Sequence, residues 1–143
     1  MPRALTTRRR FLTLTALATM LPASRAFALR SALTRIASGD HPTPRPGITA
    51  DKLPTREQLS DVPEAAPVFD LVREIPQIID GIRCNCGCAE SKQYYSLLTC
   101  YEGSDAMARH CVICQGQGKL AHRLFKAGKS LDEIRKGIDA RFG

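Results

Sequence analysis

Six cysteines lie within residues 84–114, and the chain has no other cysteine. They form a C-x-C-x-C triplet, a single cysteine and a C-x-x-C pair, in the order Cys84, Cys86, Cys88, Cys100, Cys111 and Cys114. Thiolate sulfur is both a soft metal ligand and a redox-active nucleophile. This density of sulfur therefore indicates metal binding or thiol–disulfide exchange.

The spacing allows several sulfur atoms to reach one metal site. The triplet places three sulfurs within five residues, and Gly87 gives that loop conformational freedom. On a helix, Cys111 and Cys114 would share one face, with His110 a turn before Cys114. Zinc would use four such ligands, whereas a multinuclear Cu(I) cluster could use all six. We therefore expect the six cysteines to bind Cu(I) or Zn(II), with His110 as an auxiliary ligand.

Two other uses of the cysteines stay open. Six is an even number, and three cysteines remain to pair with the triplet in disulfides, although bridges from so short a loop are strained. The C-x-x-C pair also has the spacing of thiol oxidoreductases. No thioredoxin-like βαβ pattern surrounds that pair, and no catalytic acid–base or nucleophile–base set is evident. We therefore rank metal binding first and a non-enzymatic role above an enzymatic one.

The elements that must position the cysteines are predicted to be helices. Helical periodicity indicates a small, mostly α domain over residues 67–143. Pro67 suits a first helical turn, and Pro76 should end or kink that helix and begin another turn. The triplet then falls in a loop, and a further helix is predicted over residues 91–101.

The C-x-x-C pair is predicted to lie inside the next helix, capped by Ser104 or Asp105. Glycines weaken helices, so a kink is expected over residues 116–118, and Gly128 should end the helix. A capping box beginning at Ser130 should start a final helix. Its apolar residues share one face: Leu131, Ile134, Ile138 and Phe142.

The first 28 residues indicate a twin-arginine export signal. Arg8 and Arg9 precede a moderately apolar run that is too short to span a membrane, which takes about 20 residues. Residues 26–28 form the small-x-small pattern of a signal-peptidase site. We therefore expect cleavage before Leu29, a location in the periplasm or outside the cell, and membrane contact only during export.

Charge argues against nucleic-acid binding. The first 28 residues hold five of the 21 basic residues and none of the 14 acidic ones, so without them the net charge falls from +7 to +2. No basic stripe with interleaved aromatics remains. Residues 29–66 are rich in proline with little apolar periodicity, and we predict that they form a disordered tether in which His41 is solvated.

From Ile75 onward the sequence resembles an exported, cysteine-rich family with a PCYCGC motif. The matching segments are Ile75-Pro76 and residues 84–88, 98–101, 110–114 and 128–134. Arg83 and Asn85 replace the proline and tyrosine of the motif, and every motif cysteine is retained. The resemblance implies an exported cysteine-rich module, and some relatives are thought to carry selenocysteine, which fits a redox role.

A second similarity is to the cytochrome c maturation thiol proteins. Residues 111–117 are similar to their C-x-x-C-Q-G-Q segment, and residues 127–143 to their closing helix. The stretch between these segments is shorter here, and the triplet is extra. This resemblance implies the alternative function, a dithiol at Cys111 and Cys114 that reduces apocytochrome or another partner.

Together these patterns predict a small exported protein that binds a thiophilic metal for storage, delivery or sensing. Its expected partners are the metal ion and a metal-delivery or redox protein. The alternatives are a thiol–disulfide redox protein and a disulfide-stapled structural or interaction module.

Overall fold

The computed structural model describes residues 40–87, 92 and 94–143. Four α-helices occur there: α1, Ala66–Glu74; α2, Pro76–Asp80; α3, Val112–Lys126; and α4, Leu131–Phe142. Short 3₁₀ helices lie at Glu57–Leu59, Leu98–Tyr101 and Met107–Arg109, and these residues form no strand. The prediction of a mostly α-helical fold is confirmed. None of the helices in this part of the chain has the length and apolar character needed to cross a membrane.

Two prolines begin the first two helices, as predicted. Pro67 lies in the first turn of α1, and Pro76 is the first residue of α2. Between the helices, Ile75 leaves the helical conformation with φ −135°. A residue that precedes proline is sterically disfavoured from the α conformation, so the chain turns here and directs α2 toward the cysteine loop.

The core fixes the first turn of α3. Tyr101 is fully buried and its ring meets that of Phe69 edge-on, with centroids 5.0 Å apart. The Tyr101 hydroxyl donates a 2.7 Å hydrogen bond to the main-chain carbonyl of Cys114. Ile134 and Ile138 of α4 are fully buried in the same core. The main chain at Cys114 is therefore held by its hydrogen bond to a fully buried side chain.

The turn between α3 and α4 follows from local signals. Gly128 adopts φ +74°, the left-handed conformation that ends a helix. The Ser130 hydroxyl accepts a hydrogen bond from the Glu133 N–H, and the Glu133 carboxylate accepts one from the Ser130 N–H. The predicted capping box is confirmed. These contacts set α4 against α3.

Residues 40–66 belong to the folded domain, which corrects their prediction as part of a disordered tether. Leu59 is fully buried, and Leu53 and Val62 are 5% exposed. The segment consists of turns and one 3₁₀ helix, so its apolar residues lack the regular spacing that indicates a helix. Residues 29–39 of the predicted tether and the predicted export signal lie outside the described residues.

A buried ion pair ties this segment to α2. Asp80 is fully buried and accepts hydrogen bonds from the Arg45 side chain at 2.6 Å, the Arg45 N–H at 2.8 Å and the Ser96 hydroxyl at 2.7 Å. Burial alone raises the pKa of Asp80, but the hydrogen bonds from Arg45 and Ser96 outweigh it and hold that pKa below its ordinary value. The charged carboxylate of Asp80 in α2 therefore joins this helix to the segments around Arg45 and Ser96.

His41 is a packed residue, and the prediction that it is solvated is wrong. Its Nε2 lies 3.1 Å from a carboxylate oxygen of Asp139 in α4, and its Nδ1 accepts a 3.0 Å hydrogen bond from the Arg83 N–H. A ring nitrogen that accepts cannot carry a proton, so this geometry requires the tautomer with hydrogen on Nε2. His41 thus links the start of the domain to the residue before Cys84.

Two predicted helices differ from the structure. Residues 94–97 are not helical, and only Leu98–Tyr101 forms a 3₁₀ turn. Ser104 and Asp105 cap no helix, because the 3₁₀ turn at Met107–Arg109 starts after Ala106 and α3 begins only at Val112. The apolar spacing in both places comes from residues buried in turns.

The kink predicted over residues 116–118 is absent, since α3 runs unbroken through them. Its glycines serve close packing instead. A Cβ on Gly118 would lie 2.4 Å from the Tyr101 hydroxyl oxygen, and one on Gly116 would lie 3.0 Å from the Phe142 ring. Tyr101 can reach the Cys114 carbonyl because Gly118 carries no side chain.

Candidate metal centre

Five cysteines from three parts of the chain meet inside the domain. Two follow α2 in a loop, one lies in the Leu98–Tyr101 turn, one occupies the N-cap of α3 and one lies in its first turn. In chain order they are Cys84, Cys86, Cys100, Cys111 and Cys114. The structure thus assembles the described cysteines in one place. Cys88, the last of the triplet, lies outside the described residues.

The shortest sulfur distances join the triplet loop to α3. Cys84 Sγ lies 3.0 Å from Cys86 Sγ and 3.5 Å from Cys114 Sγ. Cys86 Sγ also lies 3.5 Å from Cys114 Sγ. All three distances are well above the 2.05 Å of a disulfide bond, so no disulfide joins Cys84, Cys86 and Cys114 to one another. These three pairings of the structural-disulfide alternative are therefore absent.

The sulfurs fall into two groups that share Cys114. The inner group is Cys84, Cys100 and Cys114, and the outer group is Cys86, Cys111 and Cys114. Within each group the three sulfurs lie within 4.8 Å of one another. Cys84 is 2% exposed, and Cys100 and Cys114 are fully buried, whereas Cys86 and Cys111 are half-buried. The inner group is therefore buried, and the outer group is partly accessible to solvent.

The thiols influence one another's protonation strongly. Hydrogen bonds from the Cys100 and Cys114 thiols hold the pKa of Cys84 well below its ordinary value, although burial opposes them. The hydrogen bonds that Cys114 makes with Cys100 and Cys84, together with burial, raise the pKa of Cys114. One thiolate is thus favoured at Cys84, and a second negative charge beside it is disfavoured unless a cation compensates it.

Gln117 positions the loop that carries Cys84. Its side chain is fully buried. Its Oε1 accepts a 3.2 Å hydrogen bond from the Asn85 N–H, and its Nε2 donates a 3.3 Å hydrogen bond to the Arg83 carbonyl. Gln117 lies three residues after Cys114 on α3, so it links the helix that carries Cys114 to the loop that carries Cys84. Sequence reasoning missed this role, although the C-x-x-C-Q-G-Q pattern contains the residue.

Gln115 supports the other cysteine of the pair. Its Nε2 donates hydrogen bonds to the carbonyls of Ala108 at 2.9 Å and Arg109 at 3.2 Å. These bonds fix the 3₁₀ turn that leads into Cys111. The predicted placement of the pair on one helical face is wrong, because Cys111 adopts the extended N-cap conformation and α3 starts after it.

His110 belongs to neither sulfur group. It is exposed and ends the Met107–Arg109 turn, where it contributes to lowering the pKa of Asp61, a shift caused mainly by the Arg109 hydrogen bond. Because the helix begins after His110, this residue is not a helical turn before Cys114. The predicted auxiliary ligand therefore lies outside the cluster that the structure assembles.

The separations between the sulfur atoms suit a metal ion. Sulfur separations of 3.0–4.8 Å are comparable to the edge of about 3.8 Å that a tetrahedral site with 2.3 Å metal–sulfur bonds requires. The cluster can hold a metal ion.

A family model described as "Protein of unknown function with PCYCGC motif" matches residues 45–143. The chain belongs to this PCYCGC family. The match begins at Arg45, the partner of Asp80, and so includes most of the segment that the sequence had indicated as a tether. No curated protein and no solved structure matches the chain.

The structure explains how the PCYCGC motif accommodates its two replacements here. Arg83 and Asn85 stand where the motif has proline and tyrosine. Gln117 hydrogen-bonds the main-chain carbonyl of Arg83 and the main-chain N–H of Asn85, which do not depend on the side chain. A proline at position 83 would lack the N–H that donates a hydrogen bond to His41 but would keep the carbonyl. The loop geometry therefore depends on backbone contacts.

Proposed function

We propose that the protein binds Cu(I) through its cysteine cluster and stores or delivers it. The observation that carries this proposal is the convergence of five cysteine sulfurs, three of them buried, from three separate parts of the chain. Soft thiolate ligands select Cu(I), zinc or iron–sulfur clusters over hard cations. Cys88 remains a predicted further ligand.

The number of sulfurs favours Cu(I) over zinc. Zinc uses four thiolate ligands, whereas a multinuclear Cu(I) cluster can use all five described sulfurs. Because cysteine binds metal as the thiolate, a bound cation would also displace the proton that the hydrogen bonds with Cys100 and Cys84, together with burial, hold on Cys114. Binding should therefore release thiol protons to solvent.

Anaerobic titration of the reduced, full-length protein with Cu(I) or Zn(II), in competition with bathocuproine disulfonate or a zinc chelator, tests the proposal. We expect tight Cu(I) retention with Cu–thiolate absorption in the ultraviolet, and weaker Zn(II) retention. A His110→Ala variant should bind as the wild type does. Cu(I) retention no better than that of a variant with all five described cysteines changed to alanine would overturn it.

One observation favours thiol–disulfide exchange as a second candidate. Cys111 is half-buried at the N-terminus of α3, its sulfur lies within 4.8 Å of Cys114, and the intervening Val112 is 78% exposed. In this reaction Cys111 and Cys114 would form a disulfide while a partner disulfide gains two electrons and two protons. Loss of two thiols on oxidation of metal-free protein, reversed by a dithiol, would support it.

We further propose that the protein is exported by the twin-arginine route to the periplasm or cell exterior. Arg8, Arg9 and the small-x-small pattern at residues 26–28 support this proposal. Replacing both arginines by lysine should leave the precursor uncleaved in the cytoplasm. The measurement is immunoblotting of cell fractions, and unchanged export of the double variant would contradict the route.

A further inference from the structure

We propose that the cluster holds two Cu(I) ions that share the Cys114 thiolate, and that ions enter and leave through the outer group. The inner ion would be bound by Cys84, Cys100 and Cys114, and the outer ion by Cys86, Cys111 and Cys114. This inference rests on the proposed function and adds to it the number of ions and the route of exchange.

Cys114 is placed to bridge two ions. Its sulfur is common to both groups, so it lies within 4.8 Å of each of the other four described sulfurs. A thiolate has more than one lone pair and can bind two metal ions at once. Cys114 is also firmly anchored, since it is fully buried on α3 and its carbonyl accepts a hydrogen bond from the Tyr101 hydroxyl.

The number of sulfurs favours two ions over one central ion. A thiolate-bound ion takes at most four sulfur ligands, and five described sulfurs meet here. Cys84 and Cys86 each lie 3.5 Å from Cys114, near the edge of about 3.8 Å between two sulfurs of one site with 2.3 Å metal–sulfur bonds. Each of them can therefore bind an ion together with Cys114.

Exposure differs between the two groups in the way that an entry site requires. The two ligands unique to the inner group are at most 2% exposed, whereas Cys86 and Cys111 are half-buried. Val112, next to Cys111, is 78% exposed, so a partner can approach this side of α3 closely. An incoming ligand can reach the outer ion directly, and the inner ion only after the outer one has left.

The transfer step is a ligand exchange with no change in oxidation state. A first thiolate of the partner protein forms a sulfur–copper bond to the outer ion as the bond from Cys111 breaks, and a second partner thiolate does the same as the bonds from Cys86 and Cys114 break. The Cys86 and Cys111 thiolates then take protons from solvent, Cys114 stays bound to the inner ion, and copper remains Cu(I). Exchange around Cys114 allows the inner ion to move into the emptied outer position.

Copper removal by bathocuproine disulfonate from matched variants of the full chain tests this arrangement. We expect two ions per wild-type protein, released in a fast and a slow phase of equal amplitude. Cys111→Ala should lose the fast phase and retain one slowly released ion. Cys100→Ala should lose the slow phase, because alanine suits a buried position while removing only an inner ligand. Cys114→Ala should impair both phases.

The outcomes separate this inference from the proposed function. Retention of a single ion by the wild type, or equal loss of both phases in Cys100→Ala and Cys111→Ala, would overturn the two-ion arrangement while leaving copper binding intact. Absence of Cu(I) binding by the wild type would overturn the proposed function itself. Circular dichroism of each metal-free variant, with Cys86→Ala as a second outer variant, shows whether a lost phase reflects a lost ligand or a lost fold.

Discussion

The side-chain amide of Gln117 hydrogen-bonds the backbone on both sides of Cys84. It accepts from the N–H of Asn85 and donates to the carbonyl of Arg83, at 3.2 and 3.3 Å. Gln117 shares α3 with Cys114, so these two bonds hold the triplet loop at the distance where the sulfurs of Cys84 and Cys114 are 3.5 Å apart. The geometry of the cluster thus depends on a residue that contributes no ligand atom.

Replacing Gln117 by leucine should loosen this loop without creating a cavity. The change removes both hydrogen bonds that the buried Gln117 amide makes with the loop, which costs about 1–3 kcal/mol of unfolding free energy. Slow copper release should also become faster, because Cys84 is no longer held. Urea unfolding and the release kinetics check both effects. The matched control is Gln77→Leu on the exposed face of α2, and equal stability of the two variants would contradict the role.

Removing Arg45 should make the domain less stable and change its pH dependence. Asp80 would stay buried without its charged partner, and we expect a loss of about 2–3 kcal/mol, below the 3–5 kcal/mol of a fully buried pair because Arg45 is 35% exposed. In the wild type the depressed pKa of Asp80 gives stability that is present at neutral pH and lost as pH falls through about 4 and below.

In Arg45→Ala, the contribution of Asp80 to the free energy of unfolding should change with pH in the opposite direction. Burial then dominates and raises the pKa of Asp80 above its unfolded value, so the deficit relative to the wild type should shrink as pH falls from 7 toward 4. Urea unfolding at several pH values measures it. Lys129→Ala, which removes an exposed pair with Glu133, serves as the control and should leave stability nearly unchanged. A constant deficit across this range would contradict the explanation.

Gly118→Ala should destabilise the domain although alanine favours helices by about 1 kcal/mol. The added Cβ would lie 2.4 Å from the Tyr101 hydroxyl oxygen and 3.1 Å from Val72, and such overpacking costs about 1–3 kcal/mol. Gly116→Ala is the matched control, since only the half-buried Phe142 ring near the end of α4 must shift. Thermal unfolding compares them.

A double variant identifies the contact responsible. Tyr101→Phe removes the oxygen that an alanine at 118 would meet, so the combined change should cost less than the sum of the two single changes. Simple additivity would show that the strain lies elsewhere.

The boundary of the domain can be tested by truncation. A chain of residues 40–143 should fold, whereas one of residues 67–143 should not, because it loses Leu53, Leu59 and Val62 from the core. Each buried side chain of this size contributes roughly 1.5–3 kcal/mol, so the three together match or exceed the roughly 3–5 kcal/mol that a small core typically supplies. Circular dichroism and thermal unfolding distinguish the two fragments, and cooperative melting of the shorter one would restore the boundary at residue 67.

Local signals in the sequence were enough to predict where several elements begin and end. Pro67 and Pro76 begin α1 and α2, Gly128 ends α3, and the Ser130 capping box begins α4. Each signal acts through the backbone of the same residue or of one at most four residues away, so no knowledge of distant contacts is needed. The concentration of cysteines also indicated sulfur chemistry before any fold was known.

Contacts between residues far apart in the chain decided the rest. Residues 40–66 fold because Arg45 meets Asp80 and His41 meets Asp139, and the glycines of α3 pack closely where a kink was predicted. The grouping of the sulfurs around Cys114, and the position of His110 outside them, likewise depend on where α3 starts. Spacing along the chain limits which sulfurs can meet, but only the packing of the loop against α3 through Gln117 selects those that do.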